Sequence, residues 1–262
     1  MREKRTSATD DGAPGSQRDD FCQWLTGTSG RLLLAQEQAR VQAVLPNLFG
    51  YHLVQVGILP GIDLMASSRI LHRVMVEADV QGEKPGATIL PGKPDALPLA
   101  TDSIDALILP HVLEFELRPH DALREVQRVL MPEGHALIFG FNPWGFMGLW
   151  RAALKRHGTA PWRGEFFSLK RLSDWLALLG FEIVSVNHCF FRPPLQRLSV
   201  MKRLQWMETL GPHLWPVFAG TYFVMAKKRV VRLTPVRPSW RTRRRLVAVG
   251  LAEPTARIQR RE

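Results

Sequence analysis

Apolar residues along the chain fall into two kinds of pattern. Seven short runs have strand length and stop at glycine, proline or charge: 51–57 (YHLVQVG), 72–79 (HRVMVEAD), 87–92 (ATILPG), 103–111 (SIDALILPH), 135–141 (HALIFGF), 181–191 and 220–229. Other stretches repeat apolar residues at helical spacing: 21–25 with 30–46, then 62–70, 121–130, 148–158, 168–180 and 195–211. Ser168 is placed to cap the helix that Gly180 ends, and Pro132 and Gly134 punctuate MPEG, 131–134, after the helix at 121–130. Strands alternating with helices predict an α/β fold: a mainly parallel, seven-stranded sheet with helices on both faces. In such sheets ligands bind beyond the carboxyl ends of the strands.

Length and composition narrow this to one domain with appendages. The 262 residues are 45% apolar and 23% charged, an ordinary globular balance. The expected division is a disordered tail over 1–20, lead helices over 21–50, the main domain over 51–229 and a basic, disordered tail over 230–262. The net charge of +11 is concentrated at one end. Residues 227–262 carry twelve Lys or Arg against Glu253 and Glu262, so +10 of it sits there. The folded part is nearly neutral. The tail is either a solvated basic extension or a weak contact for RNA or an anionic membrane. Two cysteines, Cys22 and Cys189, argue against a disulfide framework or a zinc set and fit a reducing, cytoplasmic setting. His188 beside Cys189 has no further ligands near it in sequence, so no metal is expected. No run reaches the roughly 18–20 apolar residues that span a bilayer. The N-terminus has no apolar segment of a secretory signal.

Three stretches carry the chemistry. Residues 51–63 read YHLVQVGILPGID, a strand followed by Gly57 and Gly61. Residues 92–115 read GKPDALPLATDSIDALILPHVLEF, and 121–143 read DALREVQRVLMPEGHALIFGFNP. The Leu97-Pro98 pair, Ser103-Ile104-Asp105, His111 to Leu113, the L-R-E-x-x-R-V-L of Leu123 to Leu130 and the P-x-G of Pro132 to Gly134 resemble class I S-adenosylmethionine-dependent methyltransferases, most closely the methyltransferase type 11 group. The resemblance covers roughly 51–143 and implies a Rossmann-like fold, S-adenosyl-L-methionine as cofactor and methyl transfer to a small-molecule acceptor.

The same resemblance implies cofactor contacts by position. Gln55 stands where the family has an acid at the end of the first strand. Gly57 and Gly61 retain two loop glycines, whose freedom at positive φ lets a backbone approach a ligand, and Leu59 replaces the middle one. Glu77 or Asp79 is placed to hold the ribose hydroxyls. Lys93 replaces the acid that takes the adenine amino group, a bond that lysine cannot accept; Asp95, two residues on and beside Leu97, is either its substitute or a turn residue. The cofactor signature is therefore remodelled at three points, while the fold signature is strong.

At the acceptor side, His111 is a candidate general base with Glu114 orienting it; the other reading is that both serve the strand end. Asn142-Pro143-Trp144 reads as a structural turn. Trp144, Phe146 and Trp150, with Phe190, Phe191, Pro193 and Pro194, line either an apolar or aromatic acceptor pocket or the core. Two functions stay open on sequence alone: an enzyme, or a non-catalytic module of the same fold binding a partner through its tail.

Overall fold

The protein is described by a computed structural model over residues 14–78, 88–154 and 162–229. Seven strands, β1 (His52–Val56), β2 (His72–Glu77), β3 (Thr88–Pro91), β4 (Ile104–Pro110), β5 (Leu130–Phe141), β6 (Phe181–Cys189) and β7 (Thr221–Lys228), form one sheet in the order β3-β2-β1-β4-β5-β7-β6. β7 runs antiparallel to β5 and β6, and the remaining pairs are parallel. The order reverses at β1, which lies between β2 and β4. A crevice opens at such a reversal, beyond the carboxyl ends of the two strands.

Strand alternation divides the core in two. Leu53, Ala106, Ile108, Leu137, Phe139 and Phe141 face the N-terminal helices α1 (Pro14–Leu25) and α2 (Thr28–Val44), which contribute Phe21, Leu25, Leu33, Leu34 and Val41. Val54, Val56, Leu107, Leu109, Ala136 and Ile138 face the other way. There they meet Ala122, Leu123 and Val126 of α3 (Pro119–Val129), and Leu172 and Leu176 of α5 (Leu169–Leu178). The helices α4 (Phe146–Leu154), α6 (Leu198–Arg203) and α7 (Trp206–Leu214) complete the described set. Ser168 caps α5 by accepting the Arg171 N–H, and Gly180 at φ 78° ends it, both as expected.

Four boundaries differ from the sequence reading. α1 begins at Pro14, inside the segment assigned to a tail. Its polar run GSQRDD has no apolar period, and the helix is held by Phe21 and Leu25, both buried among tertiary partners. Residues 62–70 form turns in place of a helix. The Asp63 carboxylate accepts the Met65 N–H at 2.8 Å and the Ser68 hydroxyl accepts the Ile70 N–H at 3.0 Å, local bonds that compete with helix formation. MPEG belongs to β5, whose pairing with β4 jumps from Ile104↔Leu130 to Ala106↔His135, so that these residues bulge against Asp105. The single helix expected over 195–211 breaks into α6 and α7 around Leu204. The tail at 230–262 and residues 155–158 of the expected fourth helix lie outside the described residues.

The L-R-E-x-x-R spacing has a mechanical cause. Glu125 and Arg128 lie three residues apart on one face of α3 and clasp the segment before β4. Glu125 accepts the Leu97 N–H at 3.0 Å; Arg128 donates to the Leu97 and Leu99 carbonyls at 3.1 and 2.9 Å and is held by Glu125 at 2.8 Å. Arg128→Ala should lower stability by about 1.5 kcal/mol, the low end for bonds to a charged group because the side chain is one-third exposed. Urea denaturation against the parent protein measures it.

Candidate cofactor and acceptor site

The crevice beyond β1 and β4 is built from three layers: the β1 loop below, the turn after β4 beside it, and α1 with α2 above. β1 ends at Gly57, whose φ of 86° lies in the left-handed region and whose N–H is held by the Val76 carbonyl at 2.8 Å. Gly61 follows at φ 72°, with open space where a side chain would project. Between them Leu59 is fully buried under α1 and α2 and makes no crowding contact with Gly61. A cavity of about 380 Å³ lies along this stretch, lined by Leu25, Arg31, Leu34, Pro60, Gly61 and Ile62.

Gln55 shares the strand face of Leu53, so a polar side chain occupies a core position, 1% exposed. Its amide N–H donates to the Gly57 carbonyl at 2.8 Å, while its Oε1 is buried without a hydrogen-bond partner. Glu77, at the end of β2, accepts the Ile58 N–H at 2.7 Å and the Ala78 N–H at 3.2 Å. It thus braces the glycine loop from the neighbouring strand and keeps lone pairs for further donors. Asp79 lies outside the described residues. Asp95 reaches Arg118 at 3.2 Å on the surface, and Lys93 is exposed. Leu97 is a correction. Its side chain is buried on the α3 face and both of its backbone polar groups are taken by Glu125 and Arg128, which leaves it nothing to offer a ligand.

His111 and Glu114 meet, and a third partner, Glu37 of α2, joins them. His111 follows β4 at φ 49° and is fully buried. Its Nε2 lies 2.7 Å from Glu37 of α2 and its Nδ1 3.1 Å from Glu114. The ring stacks on Phe141 at 4.2 Å, with the edge of Phe21 at 5.5 Å. Glu114 also accepts the Phe141 N–H at 2.8 Å, tying the ends of β4 and β5 together. Burial by itself would lower the imidazole pKa. The charges and hydrogen bonds of Glu37 and Glu114 outweigh it and raise it to about 10. With both nitrogens engaged and the ring protonated at neutral pH, His111 has no lone pair to accept a proton. In this arrangement it is an ionic clamp, and the general-base role expected of it does not fit.

The acceptor-side aromatics also sort themselves. Phe190 and Phe191 are buried in the core and do not line an open pocket, whereas Trp144 is exposed. Asn142 donates to the Val217 and Ala219 carbonyls at 2.7 and 3.0 Å and accepts the Trp144 N–H at 3.1 Å, which makes the Asn-Pro-Trp segment a structural turn. Among the described residues, no group of three His, Cys, Asp or Glu is placed to hold a metal ion. Nor is any described helix long and apolar enough to cross a membrane.

Two residues of the site were missed. Glu37 was detectable: it falls on the stripe of Leu33, Leu34 and Val41, where a buried helix face should be apolar. Arg18 of α1 carried no signal. Its Nη1 donates to the His111 carbonyl at 3.3 Å, and its Nη2 is buried without a hydrogen-bond partner. A Cβ placed on Gly57 would overlap the guanidinium, so Arg18 lies directly over the glycine.

Comparison with known proteins agrees with the fold. Residues 58–138 match the methyltransferase-domain family model. The Escherichia coli K12 protein YafS, an uncharacterized protein, is 30% identical over 223 residues, covering 84% of this chain and 87% of its own. The fold is shared with an S-adenosylmethionine-dependent methyltransferase of Thermotoga maritima (TM-score 0.58, 19% identity, 81% of this chain and 100% of that one). It is shared also with one of Mesorhizobium loti (TM-score 0.55, 17% identity, 78% and 100%). The chain belongs to the class I S-adenosylmethionine-dependent methyltransferases.

The clamp gives stability a definite pH dependence. A pKa raised above its unfolded value contributes stability that is fully present below pH 6.5 and is lost as the pH rises through about 10. Urea midpoints should therefore fall across that interval. Glu37→Gln should flatten the slope and cost about 3–5 kcal/mol at neutral pH, the usual penalty for removing one partner from a buried pair.

Proposed function

We propose that the protein transfers a methyl group from S-adenosyl-L-methionine to a small acceptor with an apolar or aromatic part. The observation that carries this reading is the loop at the β1–β4 reversal. A glycine at φ 86° lies there between two buried, unpartnered polar atoms, the Gln55 acceptor and the Arg18 donor. Orphaned polar atoms in a core are costly unless a ligand or water completes them, and these two suit the ammonium and carboxylate of an amino-acid moiety. Glu77, with acceptor capacity to spare beside the loop, would hold the ribose hydroxyls. Gly61 leaves room for the ligand's approach.

When bound, the cofactor supplies an electrophilic methyl group with a good leaving group. What the chain must add is positioning and exclusion of water. A proton acceptor is not required of His111, whose clamp instead holds α2 over the crevice. The apolar lining by Leu25, Leu34 and Ile62 supports an apolar acceptor. We assign the protein to the cytoplasm on its cysteine usage. Its basic tail is assigned weak contact with RNA or an anionic membrane on charge alone.

Calorimetric titration with S-adenosylmethionine and S-adenosylhomocysteine tests the reading. Saturable one-to-one binding is expected, and the absence of heat at millimolar ligand would favour a non-catalytic module of the same fold. Gly57→Val should abolish binding while the chain still folds, since a β-branched side chain is strained at φ 86° and would fill the place of approach. Undiminished affinity in that variant would put the cofactor elsewhere.

A further inference from the structure

The geometry points to Arg18, carried by the N-terminal helix, as the residue that binds the α-carboxylate of the cofactor's amino-acid end, so that α1 closes on the ligand through a charge of its own. This inference rests on the S-adenosylmethionine reading above and gives the carboxylate a partner from outside the matched segment, 58–138.

A guanidinium presents five N–H donors, and where these are buried, as Nη2 of the half-buried Arg18 is, they are normally met by a carboxylate or carbonyls. Arg18 makes one long hydrogen bond, to the His111 carbonyl at 3.3 Å, and its Nη2 has no partner. Carboxylates are close at hand. Glu37 and Glu114 each keep a buried oxygen unbonded, yet neither takes a hydrogen bond from Arg18. Burial and the neighbouring Asp95 raise the Glu116 carboxyl pKa, with the Arg18 charge opposing them only in part, and Glu116 forms no ion pair with Arg18 either. Among the described residues, the guanidinium is therefore held over Gly57 without a counter-ion of its own.

Its position is the second observation. It lies against the face of Gly57 that lacks a side chain, the one point of the loop where a ligand can approach the backbone closely. Phe21, one turn along α1, is locked between His111, Phe115 and Phe141, so the helix register that delivers Arg18 is set by packing. A ligand entering must shift the guanidinium off Gly57. The same shift lets it exchange a 3.3 Å carbonyl contact for a charge-assisted, two-pronged bond to a carboxylate. The ordinary acid of this loop is replaced by Gln55, so no negative side chain at that position competes for the arginine.

The test compares S-adenosylmethionine with its decarboxylated form, which keeps the nucleoside, the sulfonium and the ammonium. Both are titrated calorimetrically into the full-length protein and into Arg18→Ala and Arg18→Lys, with thermal melts as a check on folding. The parent protein should prefer the carboxylate ligand by roughly tenfold to a hundredfold, the worth of one charged hydrogen-bond pair. Arg18→Ala should lose that preference by weakening only the carboxylate ligand, and Arg18→Lys should recover part of it. Three results overturn the inference: a parent protein that does not distinguish the two ligands, an Arg18→Ala variant that loses both equally, or one that binds both more tightly because a plug has been removed. Failure of the parent protein to bind either ligand, or S-adenosylhomocysteine, refutes the cofactor reading itself and this inference with it.

Discussion

A protonated imidazole held between two carboxylates organises the functional half of this molecule. His111 is contributed by the end of β4, Glu114 by the turn that follows and Glu37 by a helix 74 residues earlier in the chain. None of the three is solvated to any useful extent, so their mutual attraction acts in a medium that screens it little. A buried pair is not in itself a source of great stability, because desolvation offsets much of the attraction. What it supplies is position. Glu37 can sit on the apolar stripe of α2 only if His111 lies beneath it, which sets where α2 rests on the sheet.

The consequences spread outward from that point. α2 carries α1 with it through the short turn at Thr26–Gly27, and α1 sets Phe21 against the clamp and Arg18 over Gly57. Glu114 joins the ends of β4 and β5 through the Phe141 N–H, and Phe141 returns the contact by stacking on His111. The lead helices are thus a structural roof of the crevice, and both the cavity and the Arg18 guanidinium belong to that roof as much as to the sheet. The first turns of α1, which carry little pattern in sequence, end up over the candidate site.

The remodelled glycine loop takes on a different sense in this setting. Leu59 in a loop that usually carries a third glycine looks like an obstruction when only the loop is considered. In the fold its side chain turns away into the core beneath α1 and α2. The missing helix over 62–70 removes one helix N-terminus from the ligand's surroundings, and Glu77 replaces its bracing effect by holding the Ile58 N–H from the next strand. Loss of one anchoring element has been met by others drawn from different parts of the chain.

Local pattern was enough to specify the sheet. Apolar runs of strand length separated by amphipathic helices leave few ways to bury both faces, and all seven strands lie where alternation and punctuation put them, with ends displaced at β5. The family signature over 92–143 was legible for a related reason. Glu125 and Arg128 must stand three residues apart to clasp the Leu97–Leu99 segment, so the constraint is written as a short spacing. Gly57 and Gly61 were legible because only glycine rests easily at their φ values. The site's other half was decided by tertiary structure alone. Glu37 is legible only as a charge on the apolar stripe of α2; that it meets His111, and that Arg18 joins them, is set by the packing of two N-terminal helices across the sheet, and contacts over such separations leave no periodicity to read. Even the direction of the His111 charge followed from this, since an isolated histidine before a glutamate suggests a base, and only a second carboxylate arriving from α2 turns it into a cation.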